Sequence, residues 1–524
     1  MNIFSNKNFI KKDYIYLFFI FLFSFFINFY YSNIGVYPID TFLHYDAAYR
    51  ILNGEFPVKD YWISMGFLVD IIQSIFFKIL GINWFAYQLH SSIFNVFVSI
   101  FSYYFFLSFN LSKLQSTIYT FSVAILAYTI SGTPFQDHHA IFFLLLSTYL
   151  IVFVLNSQVK NYIWILIVML FFLSFLSKQV PAAYAVLSQG IILTYFFVQR
   201  KKMNIFKIIF LSSTFFLLLF TFILIYLKID LKSFYIQYVD YPRSFGSSRY
   251  SDFTKSYEIF FNQYKYLLLP LIIIFIIKIK KIINKEINLS SKETIIFLIV
   301  FTFGMSLLLH QLMSKNQIFI YFLIPIFFAL LESEIKTLNI KGKKYFSIIL
   351  IALIIFITIK YHYRFNETRK FHELETVNLG NSVSASQIDK SLKGLKWITP
   401  LFKNNISDEI SMLKETKKRI EKIKYEIMFI TEYKFLDSIT QKKLNYPARA
   451  FTVDGSVIPK KDNKFYDFYK KFLLNKINEN NIQEVYFLKL ENLPRELITD
   501  YIDESCYILK EDQLFYIFKI NCLN

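Results

Sequence analysis

Long apolar runs separated by short polar links dominate the first two-thirds of the chain. Eleven runs stand out, at 14–34, 85–108, 115–131, 136–156, 161–177, 180–199, 204–227, 265–279, 295–313, 317–333 and 343–361. Each approaches the roughly 20 residues that a helix needs to cross a bilayer. The runs are continuous instead of alternating, so they predict helices and not the strands of a barrel. Between the first two, Phe67 to Leu80 is apolar with polar interruptions on one side. That pattern predicts a helix lying on the membrane surface, with an additional crossing as the alternative. The opening Lys11-Lys12-Asp13 and the run Tyr14 to Tyr31 lack a small-residue cleavage site, so this segment reads as a retained first span.

Beyond Tyr361 the pattern changes to charged and mixed. Glu426 to Ile430 and Glu484 to Leu488 read as short buried strands, and Glu415 to Lys422 and Phe465 to Asn475 as helices. The expectation is a multi-pass helical membrane domain over 1–361, including an outer loop at 35–84, followed by a small α/β domain over 362–524. No internal repeat is visible, which gives repeat-built transporters no support.

Composition agrees with the pattern. Hydrophobic residues make up 55% of the 524, charged residues only 18%, and the mean hydropathy is +0.41, too apolar for one soluble core of this length. The net charge of +19 would suit a nucleic-acid partner, but the cations fall in short links between spans, where the partner is the bilayer. Heavy use of Ile, Lys, Asn, Phe and Tyr resembles coding bias, so placement carries more than totals. With a cytoplasmic N-terminus, Lys113, Lys160, Arg200 to Lys202, Lys278 to Lys285 and Lys336 to Lys344 all fall inside. The loop 35–84, the loop 228–264 and everything after Tyr361 then fall outside, as in a protein of the bacterial cytoplasmic membrane. The two cysteines, Cys506 and Cys522, have no metal-ligand spacing. A hairpin joining them would centre on Leu514, inside an apolar run, which does not favour a disulfide.

Candidate chemistry gathers at the outer boundaries. Asp40 follows the exit of the first span, where a carboxylate can accept a proton from an attacking hydroxyl or amine, bind a divalent ion, or simply cap a helix. His44 and Asp60 stand in the same loop. Asp137, His138 and His139 head the fourth span, where ionisable groups usually face a cavity or a polar partner. Asp40, Asp137 and His138 are candidate ligands for a divalent cation such as Mg, Mn or Zn. Lys178, at the next outer boundary, could hold a phosphate or merely snorkel. Arg243 and Arg249 lie among aromatics and glycine in a loop suited to a lid over sugar and phosphate, or to plain solvation. His310 and Lys315 are weaker candidates for contacts to the same ligand.

The first outer loop resembles that of the GT-C class of polyprenyl-phosphate-dependent glycosyltransferases, which holds protein O-mannosyltransferases and lipid A aminoarabinose transferases. Asp40, Ala47-Ala48, Gly54, Pro57 and Asp60 match that class in order and approximate spacing. Asp137 sits where its members place a second acidic residue. The acidic partner that often follows the first Asp is Thr41 here, a departure that removes one carboxylate from that spot. The resemblance covers roughly the first 200 residues and implies transfer of a sugar, with inversion, from a polyprenyl-phosphate donor to an extracytoplasmic glycan, lipid or protein. Asp40 and Asp137 would then be catalytic, Lys178, Arg243 and Arg249 would bind the donor phosphate, and His44, Asp60, His138, His139 and His310 would support the site. No phosphate-binding loop, Gly-x-Ser-x-Gly elbow, His-Glu-x-x-His or dinucleotide fingerprint is present. A polysaccharide polymerase, or an exporter of lipid-linked oligosaccharides, is the competing reading, and a non-catalytic scaffold the third. An exporter needs charge deep in several spans, whereas the polar residues here collect at outer boundaries.

Overall fold

A computed structural model describes residues 13–128, 132–156, 160–245, 257–314, 319–339, 341–452, 454–491 and 493–522. All eleven apolar runs are helical. In chain order, and with the outer-loop helices included, the helices are α1 Tyr14–Tyr31, α2 Pro38–Thr41, α3 Leu43–Leu52, α4 Leu68–Leu80, α5 Trp84–Ser108, α6 Lys113–Ala127 and α7 Gln136–Asn156. Then come α8 Tyr162–Ser177, α9 Gln179–Gln199, α10 Met203–Tyr226, α11 Leu231–Tyr235, α12 Tyr257–Ile283, α13 Lys292–Met313, α14 Leu323–Thr337 and α15 Lys343–His362. Among the described residues, seven helices are long and apolar enough to cross a membrane, fewer than the eleven expected. Lys113–Ala127 and Leu323–Thr337 are only 15 residues each, which is short for an unaided crossing. The chain is an integral membrane protein.

Side-chain caps set several of these boundaries. Asn83 accepts from the Ala86 N–H, Ser112 and Gln115 form a reciprocal capping box, and Ser291 accepts from the Thr294 N–H, each worth about 1 kcal/mol. Helix α7 is the centre of the bundle, with 89% of its apolar window buried by neighbours, whereas α10 has 11% buried and turns its side chains outward to lipid. A helix apolar on every side needs one of those two surroundings. The expected surface helix is α4. It buries Val69, Asp70, Gln73, Ser74 and Phe77 and exposes Ile75 and Ile79.

The C-terminal part holds helices α16 Ile406–Lys422, α17 Leu436–Thr440, α18 Tyr466–Glu479 and α19 Glu496–Thr499. Strands Val383–Ser384 (β1) and Lys396–Trp397 (β2) form a small antiparallel ladder, and a second sheet contains β3 Ile427–Ile430, β4 Glu484–Leu488, β5 Tyr507–Glu511 and β6 Phe515–Ile520. Its order is β3-β4-β6-β5, with β3 and β4 parallel and the other pairs antiparallel. Both faces are covered, one by Tyr469, Leu473 and Ile477 of α18, the other by Ile410, Leu413 and Ile420 of α16, which explains why β3 and β4 carry apolar side chains on both faces. Cys506 and Cys522 are disulfide-bonded, against the sequence expectation. The apolar run is strand β6 itself, and the turn sits just before it, where the Asp512 carboxylate takes the Leu514 and Phe515 N–H groups.

This sheet unit is bonded to the outer loop. Gly35 N–H donates to the Lys396 carbonyl (3.0 Å), Val36 to Ile398 (2.9 Å), Trp62 to Pro447 (2.9 Å) and Arg449 to Trp62 (3.0 Å). Trp62 is fully buried, edge-on to Tyr241 and Tyr469.

Candidate active site

A cavity of about 560 Å³ opens where α9, α13, the first outer loop and the 236–245 segment meet. Its walls are mostly apolar, with Met65, Phe175, Val180, Tyr184, Pro242 and Met313 among them, and its polar groups include Lys178, Arg243, His310, Ser314 and Gln179. Lys178 stands in an extended break between α8 and α9, so its side chain leaves the helix axis and faces the cavity. Gly66 makes that break fit, since a Cβ there would lie 2.1 Å from the Ser177 carbonyl oxygen. The Lys178 Nζ donates to Asp137 Oδ1 at 2.6 Å, and His310 Nε2 lies 3.1 Å from the same oxygen. Asp137 is thus the anchor of a buried cation-carboxylate-imidazole group, with Lys178 on its cavity side.

Asp40 stands in the short helix α2 and joins this group electrostatically. Burial and the negative charge of Asp137 raise its carboxyl to about 7, against the pull of Lys178. Asp40 and Asp137 therefore stand within each other's field, on the same side of the bundle. Asp40 caps no helix: α3 starts after a break at Phe42, which packs on Phe435 and Trp397 of the C-terminal part.

The other expected residues divide. His310 and Arg243 line the cavity with Lys178, while Arg249 and Lys315 lie outside the described residues. His44 is buried in the wall. Its Nε2 accepts the Gln136 N–H (3.2 Å), so Nδ1 carries the proton and donates to Asp70 (2.6 Å). Burial lowers the pKa of the ring, against the pull of Asp70. Arg449, from the C-terminal part, donates to the same Asp70 oxygen (2.8 Å) and to the Gly66 carbonyl. His139 points away from Asp137, to the Phe135 carbonyl (3.0 Å) and His90 (2.9 Å). Asp60 accepts the Phe56 N–H (2.8 Å) and faces Lys476, holding a turn outside the cavity.

His138 corrects the expected metal set. Its ring is buried among Tyr128, Phe135, Phe142 and Phe319 and is turned into the bundle. Among the described residues no group of three His, Cys, Asp or Glu side chains is placed to hold a metal ion, and the Asp137 carboxylate already has Lys178 and His310. Asp40, Asp137 and His138 therefore do not fit a metal centre here.

Asp70, Arg449 and the acids of the C-terminal part were not expected from the sequence. The signal for Asp70 was present, as a carboxylate on the inward side of an amphipathic helix. Arg449 gave none, because it sits in mixed sequence some 380 positions away.

No protein-family model matches the chain, and no curated protein matches it. The solved structure titled "Crystal Structure of ArnT from Cupriavidus metallidurans bound to Undecaprenyl phosphate" is similar over 96% of this chain and 97% of that chain, at 10% identity and a TM-score of 0.39. That likeness is too loose to assign a family.

Proposed function

We propose that the protein is a membrane glycosyltransferase that moves a sugar from a polyprenyl-phosphate donor to an extracytoplasmic glycan, lipid or protein. One observation carries the reading: an apolar-walled cavity holds Lys178 and Arg243, and the buried carboxyl of Asp40, pushed up to about 7, lies within the field of Lys178 and its partner Asp137. In the proposed reaction Asp40 takes the proton of the acceptor nucleophile, which bonds to the anomeric carbon. The bond from that carbon to the phosphate oxygen breaks, and the electron pair leaves on the phosphate. Charge grows on that phosphate, so Lys178 and Arg243 bind it more strongly in the transition state than in the ground state. Asp137 and His310 hold Lys178 in place, a positioning role. The apolar walls suit the first isoprene units of the lipid.

The same reading puts the N-terminus in the cytoplasm and the C-terminal unit outside, and the Cys506–Cys522 disulfide suits an oxidising compartment. The test is to incubate purified protein with a panel of polyprenyl-phosphate sugars and membrane extract. Transfer is expected with at least one donor, and Asp40→Asn should lower it by roughly a hundredfold or more. No transfer with any donor contradicts the proposal and favours the exporter.

A further inference from the structure

A second cavity meets the donor cavity at a pair of hydroxyls. Ser456 lines the donor cavity, Thr452 lines a cleft of about 500 Å³ in the C-terminal unit, and Thr452 Oγ1 lies 3.2 Å from Ser456 Oγ. Gly455 links the two as well. Its carbonyl takes the hydroxyl of Tyr241 (2.5 Å), two residues before the Arg243 that lines the donor cavity. Its φ of 75° is one that glycine adopts freely, and its bare Cα leaves room for the stem of Lys460, a residue of the cleft; a Cβ there would lie 3.2 Å from Lys460 Cγ.

The cleft falls within the roughly 300–1,000 Å³ of small-ligand sites. Its floor includes the buried side chains Ile458, Leu497 and Tyr501. The Tyr501 hydroxyl donates to the Pro459 carbonyl (2.5 Å), which ties the wall that follows α19 to the wall that precedes α18. The rim is polar and of both signs, with Lys460, Lys461, Asp462, Glu496 and Asp500. Lys461 Nζ pairs with Asp500 Oδ1 at 2.8 Å, but the lysine side chain is 65% exposed. An exposed pair of this kind contributes little, so a ligand opens it at small cost.

This lining selects its ligand. A sugar hydroxyl both donates and accepts, so it bonds ammonium and carboxylate at once, while the C–H face of the ring covers an apolar floor. An anion or a cation uses only half of the rim. A peptide fits less well: among the described residues no strand lines the cleft, so it offers no edge for strand addition, and five charged side chains break up the apolar groove that a helix needs. We propose that the cleft is an acceptor subsite for an uncharged oligosaccharide, holding sugars other than the one that reacts. The proposal rests on the transferase reading and narrows its acceptor from a glycan, lipid or protein to a glycan. Binding energy from those remote sugars holds the reacting hydroxyl at the donor, so a longer acceptor is a better one.

The test uses full-length protein in vesicles, the panel of polyprenyl-phosphate sugars and three kinds of acceptor: methyl glycosides of glucose, mannose and N-acetylglucosamine, linear hexasaccharides of the same sugars, and a Ser/Thr-rich peptide. Wild type should use at least one hexasaccharide about tenfold better, by kcat/KM, than its methyl glycoside or the peptide. Two double variants, Glu496→Gln with Asp500→Asn and Lys460→Met with Lys461→Met, should each raise the KM for that hexasaccharide about tenfold and move the donor KM far less. They alter opposite walls, so the outcome does not hang on one variant folding. The subsite is refuted if donor is consumed but no hexasaccharide has an advantage, if the peptide serves as well, or if both double variants keep the hexasaccharide KM within twofold. A wild type that consumes no donor with any acceptor refutes the transferase reading, and the acceptor role of the cleft with it.

Discussion

Asp40 is useful as a base only when ionised, and its surroundings keep its proton until about pH 7. Transfer should therefore rise as pH passes through about 7, with burial and the charges of Asp137 and Lys178 setting the midpoint. Folding has the opposite sign. A carboxyl raised in the fold contributes stability that is present below its ordinary range and is lost as pH climbs through about 7. Asp40→Asn, which abolishes that cost, should melt increasingly above wild type as pH goes from 5 to 8, by about 1 kcal/mol or more at the upper end. Thermal melts in detergent at several pH values check this, and a constant difference would contradict it. Asp40 was legible in the sequence because an acid at a span exit is conspicuous against apolar neighbours. The role of His138 was not, because a polar residue at the head of a helix can turn inward or outward and its spacing does not say which.

Elements were far more legible than contacts between them. Twenty-residue apolar runs have one solution in lipid, so all eleven helices could be read off the chain, and strands such as Glu484–Leu488 followed from short apolar runs between helical stretches. What could not be read was the bond between the C-terminal unit and the outer loop. Arg449 reaches across it to Asp70, and Asp70 holds His44 beneath the first turn of α7, the helix that carries Asp137. Breaking this pair from one side leaves a buried charge alone. Arg449→Gln should cost about 3–5 kcal/mol of stability, and the Arg449→Gln, Asp70→Asn double variant should recover much of it. A double-mutant cycle on unfolding measures the coupling, and additive losses would show the pair to be independent.

At the scale of the molecule, the membrane bundle supplies a cation-lined cavity, the first outer loop supplies the carboxylate, and the C-terminal unit locks that loop in place. Hydropathy could indicate which faces meet lipid, but not that a cavity lies behind Lys178, since that depends on the helix break and the close approach of Gly66. The most direct test of the whole account is to photolabel the full-length protein with a polyprenyl phosphate carrying a photoreactive group near its head, and to map the labelled peptides. Labels should fall on the cavity segments 175–184 and 238–245 and drop at least fivefold in Lys178→Met. Labelling confined to the lipid-facing Met203–Tyr226, or unchanged by that substitution, would contradict the account.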